Sequence, residues 1–477
     1  MLFNSIAFAI FLPIVFVLYW FVLKNKKRQQ NFLLLGASFY FYACWDWRFL
    51  FLLIFSIVLD YFSGIQIEKS KSKKMATFWL TLSIAINLGF LGFFKYYNFF
   101  VDSFADLIGG FGFAVHPWTL KIILPIGISF YTFHGLSYII DVYKKKISAE
   151  KNFIEYALFV SYFPLLVAGP IERATHLLPQ VKKARIFNYE LAANGVRQIL
   201  WGLFKKMVIA DNCAPIVNEI FGNADQEPAS RLVIGVVLFA FQIYGDFSGY
   251  SDIALGVSRL FGMELLKNFA FPYFSRDIAE FWRRWHISLS SWFRDYLYFP
   301  LGGSRGGMWM KIRNTFIIFL VSGFWHGANW TFIIWGGLNA LFFLPLLIRD
   351  KNRNNLETVA MGKLIPTFRD VVNILFTFTI VCFAWIFFRA ENLSAAISYI
   401  KNIFDSSILQ FPKPLPKKEF FLIVFMLFVE WINRTHDHGL EIHRWKPWLR
   451  RVLYIVVLFL VLHYSNFGNH EFIYFQF

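Results

Sequence analysis

The sequence predicts an all-α, polytopic transmembrane bundle, and three observations carry that expectation. The 477 residues are 57% hydrophobic, above the roughly 45–50% usual in soluble domains. Apolar runs of about 20 residues recur along the chain, the length needed to cross a hydrocarbon core of roughly 30 Å. The basic residues gather between these runs, at Lys24–Arg28, Lys69–Lys74, Lys144–Lys146 and Arg444–Arg451. In a soluble protein a net charge of +17 would suggest nucleic acid. Clusters in short loops instead follow the positive-inside rule and attract anionic lipid. Membrane lipids are therefore expected partners and nucleic acid is not.

The charge rule gives a rough topology. Leu2–Leu23 is apolar and is followed, not preceded, by basic residues, so it is expected to be a first spanning helix rather than a cleavable signal. Basic loops at 24–31 and 66–76 require residues 32–65 to cross twice, with the turn at Trp45-Asp46-Trp47-Arg48. Residues 77–98 cross outward, the glycine-containing stretch 99–120 is expected as an outside loop, and 121–142 return. Residues 190–212 and 232–259 are further crossings, followed by 370–390, 419–433 and 452–466. The short run 153–170 is expected as a re-entrant or half helix. Residues 314–348 lie between basic loops and suit a re-entrant hairpin or paired short helices. With no soluble domain, linker or repeat visible, residues 1–477 are expected to form one membrane domain of roughly eleven spanning helices.

Three segments carry polar chemistry. Asp277 to Phe299 has an apolar face at helical spacing (Ile278, Phe281, Trp282, Trp285, Leu289, Trp292), and is expected as one interfacial helix. Glu280 and Arg284 are one turn apart and can pair. His286 falls at the edge of the apolar face and can be either a packed structural histidine or a functional one. In Ser322-Gly-Phe-Trp-His-Gly-Ala-Asn-Trp330, His326 stands deep in an apolar run. Ionisable groups there usually face a cavity or one another, and histidine exchanges protons near neutral pH. A buried histidine bonded to a carbonyl remains an equal alternative on the residues alone. The third segment, Tyr244-Gly-Asp-Phe-Ser-Gly-Tyr-Ser-Asp252, sets Asp246 and Asp252 six apart inside an apolar run. They do not share a helical face, so either the helix breaks or the acids have different partners. Gly245 and Gly249 form a G-x-x-x-G packing motif. His134, Ser137, Tyr138 and Asp141 make a polar stripe suited to holding helices together. The three cysteines, Cys44, Cys213 and Cys382, are widely spaced and expected as small apolar residues. The other histidines, among them His116, His176 and His470, lie mostly in loops. His436-x-His438 lacks the cysteine or carboxylate partners of a metal site, and no metal is expected.

Together these stretches resemble the membrane-bound O-acyltransferase (MBOAT) family, and within it the alginate-type polysaccharide acetylases. The resemblance rests on Tyr244–Ile253, Asn268-Phe-Ala-Phe-Pro-Tyr273, Phe281-Trp-Arg-Arg-Trp-His-Ile-Ser-Leu-Ser290, Arg294-Asp-Tyr-Leu-Tyr298, Pro300-Leu-Gly-Gly303, Ser322–Trp330 and Leu166-Val-Ala-Gly-Pro-Ile171. It is dense from about 125 to 340. Asn339-Ala340 stand where relatives often carry a second His-Gly pair.

The resemblance implies that His326 is the catalytic histidine and His286 its polar companion. Trp285, Trp325 and Asn329 would line the site. Arg283, Arg284 and Arg294 would approach an anionic donor. Asp246, Ser248, Tyr250 and Asp252 are assigned to the substrate region, the two acids chiefly shaping its walls. It further implies O-acetylation of an exported cell-surface polysaccharide from a bacterial inner membrane, with no permanently bound cofactor. Acetyl-CoA or an acyl carrier protein would supply the thioester. An extracytoplasmic acetyltransferase partner of the SGNH type, of the AlgJ or AlgX kind, would receive the group. D-alanyl transfer to teichoic acid, a long-chain lipid or protein acyltransferase, and a transporter or flippase are the competing expectations.

Overall fold

The computed structural model describes residues 1–113, 117–167, 169–465 and 472–473. His116, Ala168 and His470 lie outside the described residues. The described residues form helices joined by turns and irregular segments, with no strand among them. Six of the helices are long and apolar enough to cross a membrane: Arg48–Lys69, Lys73–Gly110, Ala229–Leu260, Trp330–Ile348, Phe368–Arg389 and Pro447–Tyr464. These six do not by themselves establish the roughly eleven crossings expected, because several expected crossings fold as shorter pieces. Residues 121–142 yield a 16-residue helix, Ile128–Tyr143, and 419–433 yield the 16-residue Lys417–Ile432. The stretch 190–212 divides into Tyr189–Leu203 and a π-helical segment, Phe204–Ala210.

Two expectations are corrected. Part of the anticipated outside loop 99–120 is helical, as Tyr97–Gly110 continues the preceding helix through a π-turn at Gly92–Tyr96. The segment 277–299 is not one helix. It breaks into Ile278–Arg284, Ile287–Phe293 and a π-turn Arg294–Tyr298. Other elements match. The turn at residues 45–48 joins Lys27–Ala43 to Arg48–Lys69, and the run 153–170 forms only short helices, Phe153–Ser161 and Phe163–Leu166.

The chain forms two compact units. One comprises Met1–Ala193 with Val257–Leu266, the other Asn194–Gly256 with Lys267–Phe477. Within the first, helices Arg48–Lys69 and Lys73–Leu91 meet at buried Asp60, whose Oδ1 accepts from Ser83 Oγ at 2.5 Å and from Asn87 Nδ2 at 2.8 Å. The polar stripe also serves packing there. Ser137 Oγ donates to the His134 carbonyl, the Tyr138 hydroxyl accepts from the Glu150 amide, and Asp141 pairs with Lys146 at 3.2 Å.

The second unit contains both histidines of interest. Its hairpin pairs Gly307–His326 with Trp330–Ile348, two full helices rather than short ones. Small residues let their backbones touch. A Cβ at Gly323 would stand 2.2 Å from the Phe332 carbonyl oxygen, whereas one at Gly337 would meet only the Leu320 side chain at 3.7 Å. Overpacking against backbone typically costs about 1–3 kcal/mol. Gly323→Ala is therefore expected to lower the unfolding temperature of the purified protein, and Gly337→Ala to leave it nearly unchanged. Equal melting curves would refute the close-packing account.

Candidate functional site

His326 is the last residue of helix Gly307–His326, and Gly327 leaves the helix in an extended conformation. The turn that follows is fixed by Asn329, whose side chain caps the next helix by accepting from the Thr331 amide at 3.0 Å. Its Nδ2 donates to the Glu391 carbonyl at 2.8 Å. Asn329 thus holds the hairpin turn just beyond the histidine. The His326 ring is 3% exposed and sits among aromatic rings. Trp325 is 5.0 Å away, Trp335 5.1 Å and Phe388 5.4 Å, centroid to centroid. Aromatic pairs at such spacings pack edge-on and exclude water.

His286 reaches the same place by a different route. Helix Ile278–Arg284 ends, and His286 takes the left-handed conformation (φ 44°, ψ 53°) before Ile287–Phe293 begins. For a non-glycine residue this region costs of order 1–3 kcal/mol and concentrates at functional sites. The neighbouring backbone satisfies the break. The Ile287 amide donates to the Asn268 carbonyl at 2.9 Å and the Ala270 amide to the Arg284 carbonyl at 3.0 Å. A continuous helix would have kept residues 284–287 in their own ladder. The extended segment 268–270 supplies the alternative partners, and the break turns the His286 ring inward. The ring is 1% exposed and 6.2 Å from His326 and 5.9 Å from Trp325. Trp285 packs against Trp385 at 5.1 Å, and Trp385 stacks on Trp335 at 5.7 Å. The two histidines singled out from sequence are therefore brought together, with Trp325 beside both rings.

The helix Ala229–Leu260 does not break at its aspartates, so the two acids have different partners. Both partners are lysines of the π-helical segment. Lys206 Nζ lies 2.7 Å from Asp246 and 2.8 Å from Asp211. Lys205 Nζ lies 2.6 Å from Asp252 and 5.3 Å from the Tyr244 ring centre. Tyr244 donates to buried Glu430 at 2.9 Å. The glycine motif makes this approach feasible. A Cβ at Gly245 would lie 2.8 Å from the Lys205 carbonyl oxygen, and one at Gly249 2.9 Å from the Lys206 amide nitrogen. Asp246 also accepts from the Ile473 amide at 2.6 Å. Ser248 Oγ donates to the Tyr244 carbonyl, and the Tyr250 ring lies 4.9 Å from Phe472. Lys205, Lys206 and Glu430 were missed in the sequence. The signal was available, since two adjacent lysines inside an apolar run meet the same test of costly burial that marked the aspartates.

A cavity of about 520 Å³ lies between the broken segment 277–299 and the hairpin, and neither histidine is among its lining residues. Trp282, Phe319, Ser322 and Phe343 line it together with the basic side chains Arg294, Lys311 and Arg353. Ser322 is one helical turn before His326. Ring contacts run from Trp282 to Trp335 at 5.7 Å and from Trp335 to His326 at 5.1 Å. Of the three arginines expected near a donor, only Arg294 lines this cavity. Arg283 donates to the Asn352 and Asn355 carbonyls, and Arg284 pairs with Glu280 at 2.9 Å as its spacing anticipated. Asn339 donates to the Trp335 carbonyl of its own helix at 2.8 Å.

Comparison with known proteins places this arrangement. Residues 142–388 match the model of the membrane-bound O-acyltransferase family. The chain is 42% identical over 399 residues to a protein of Azotobacter vinelandii named probable alginate O-acetylase AlgI, covering 83% of this chain and 76% of that one. It is 37% identical over 433 residues to the peptidoglycan O-acetyltransferase of Helicobacter pylori, covering 84% and 80%. A more distant relative, the teichoic acid D-alanyltransferase of Bacillus subtilis, is 28% identical over 56% of this chain and 69% of its own length. The family match contains both histidines, the lysine–aspartate network and the hairpin, and the chain is an O-acyltransferase that belongs to the membrane-bound O-acyltransferase family.

Proposed function

We propose that this protein moves an acetyl group from a cytoplasmic thioester toward an exported polysaccharide, with His326 as general base and His286 orienting the substrate. The observation that carries this reading is the pair of buried imidazoles 6.2 Å apart in an aromatic enclosure. An alcohol attacking the thioester carbonyl must lose its proton as the C–O bond forms. An imidazole within reach accepts it, then returns it to the departing thiolate, so an ester and a free thiol result. The aromatic wall excludes water that would otherwise hydrolyse the thioester. The cavity suits a donor with an anionic arm, since Arg294, Lys311 and Arg353 outnumber the single lining carboxylate, Asp350, which pairs with Lys311 at 3.4 Å. CoA and an acyl carrier's phosphopantetheine both have that character. Relatives named for alginate and peptidoglycan O-acetylation favour acetyl as the cargo and a bacterial inner membrane as the location. An extracytoplasmic acetyltransferase would complete the transfer.

The test uses purified protein in lipid, given labelled acetyl-CoA, acetyl-carrier protein and D-alanyl-carrier protein with candidate acceptors. Label from an acetyl donor should appear covalently in the acceptor. D-alanyl transfer alone would replace the cargo assignment, and solute flux without covalent transfer would favour a transporter.

A further inference from the structure

Asn268 lies 18 residues before His286 in sequence, yet it holds that histidine on two sides. Its backbone carbonyl accepts from the Ile287 amide at 2.9 Å. Its side-chain Oδ1 contacts His286 Nδ1 at 3.0 Å and accepts from Ser288 Oγ at 2.8 Å. Its Nδ2 donates to Ser251 Oγ at 3.1 Å. Asn268, His286 and Ser288 are each 1% exposed, and Ser251 is 3% exposed.

An amide group can be placed either way round, and the choice decides which histidine nitrogen carries the proton. Here one contact resolves it. The Ser288 backbone amide points at the same oxygen, at 3.4 Å. A backbone N–H can only donate, so the atom facing it must be the Asn268 carbonyl oxygen and not its NH2. An acceptor in that position requires a proton on His286 Nδ1. In the neutral ring the lone pair then falls on Nε2. Among the described residues Asn268 is the only hydrogen-bond partner of the His286 ring, and Nε2 has none. Aromatic rings also flank the imidazole: Phe247 at 4.6 Å, Trp325 at 5.9 Å and His326 at 6.2 Å.

We infer that Asn268 is a positioning residue that fixes His286 as the Nδ1–H tautomer and so leaves Nε2 as a hydrogen-bond acceptor, the group through which His286 orients the substrate. The same residue supports the left-handed backbone of His286 and therefore sets the direction in which the ring points. A hydrogen-bonded orienter that dictates the tautomer of an acid–base histidine is a recurring catalytic device. The inference rests on the acyl-transfer reading for its consequence, but not for its geometry.

The test combines 15N NMR of histidine-labelled protein in lipid nanodiscs with acetyl-transfer kinetics. The His286 signals are assigned by their loss in His286→Gln. In the wild type, Nδ1 should carry the proton and Nε2 should show the unprotonated, pyridine-type shift. Asn268→Ala should shift the proton toward Nε2 and lower kcat by about 10²-fold, the scale of loss when a substrate-positioning group is misplaced, with donor KM unchanged. Asn268→Asp restores an acceptor at the same place. It should hold the proton on Nδ1 and recover part of kcat. A proton on Nε2 in the wild type would overturn the inference, as would an Asn268→Ala protein with unaltered tautomer. If Asn268→Ala does not fold, the wild-type spectrum and Asn268→Asp still decide. Should His326→Ala retain transfer while the Asn268 results hold, the catalytic reading fails and the tautomer assignment stands.

Discussion

Replacing His326 with alanine is expected to reduce kcat for acetyl transfer by about 10²- to 10⁴-fold, the usual worth of a positioned general base. Donor KM should change little, because proton transfer is made in the transition state and not in the bound ground state. The ring also fills space between Trp325, Trp335 and Phe388, so alanine leaves a void and some loss of stability is expected. His326→Gln separates the two effects. Glutamine occupies much of the volume without a titrating nitrogen, so it should restore stability and not kcat. The measurement is initial rate against donor concentration for the three proteins in the same lipid, with melting curves alongside. Transfer by His326→Ala at wild-type kcat would remove the histidine from the chemistry.

The second large effect is expected at Lys206. Its ammonium serves Asp246 and Asp211 together at 2.7 and 2.8 Å, and its side chain is 3% exposed. Lys206→Met would leave two buried carboxylates without their cation. Removing one partner of a buried pair typically costs about 3–5 kcal/mol. We expect a poorly folding protein with a sharply lowered unfolding temperature, measured by heating in detergent. Adding Asp246→Asn and Asp211→Asn to the same chain removes the stranded charge and should recover much of the loss. If Lys206→Met melts like the wild type, the network contributes nothing to stability. Lys205→Met is the milder comparison, because its partner Asp252 keeps 15% of its side-chain surface exposed and also accepts from Gln198 at 2.9 Å.

The sequence carried the all-helical membrane class plainly, since apolar run length and basic loops are set by the bilayer itself. It also singled out His326, because an ionisable group in an apolar run is costly wherever it sits, and His286, at the edge of an apolar helical face, through the family resemblance. Their meeting was not legible. His286 reaches His326 only through a helix break that period counting hides, since Ile278, Phe281, Trp282, Trp285 and Leu289 keep helical spacing across the break. The cause of the break lies in a distant segment, Asn268 to Ala270, whose backbone takes over the hydrogen bonds. The division of one expected crossing, 190–212, was hidden for a related reason. Hydropathy averages over Lys205 and Lys206, whereas the backbone answers them with a π-helical segment that carries each lysine to its aspartate. For Asp246 and Asp252 the sequence left open a broken helix or different partners, and it could not name the lysines, because pairing across helices has no sequence period to reveal it.

The unbroken helix Ala229–Leu260 has a consequence for how damage spreads. Two of its adjacent residues face separate systems. Ser251 accepts from Asn268, which holds His286, and Asp252 takes Lys205. A 32-residue helix extends about 48 Å at 1.5 Å per residue, and adjacent positions on it cannot shift independently. Loosening the ionic side is therefore expected to disturb the Ser251–Asn268 contact. Substitutions on the two sides are expected to be non-additive in stability and in transfer rate.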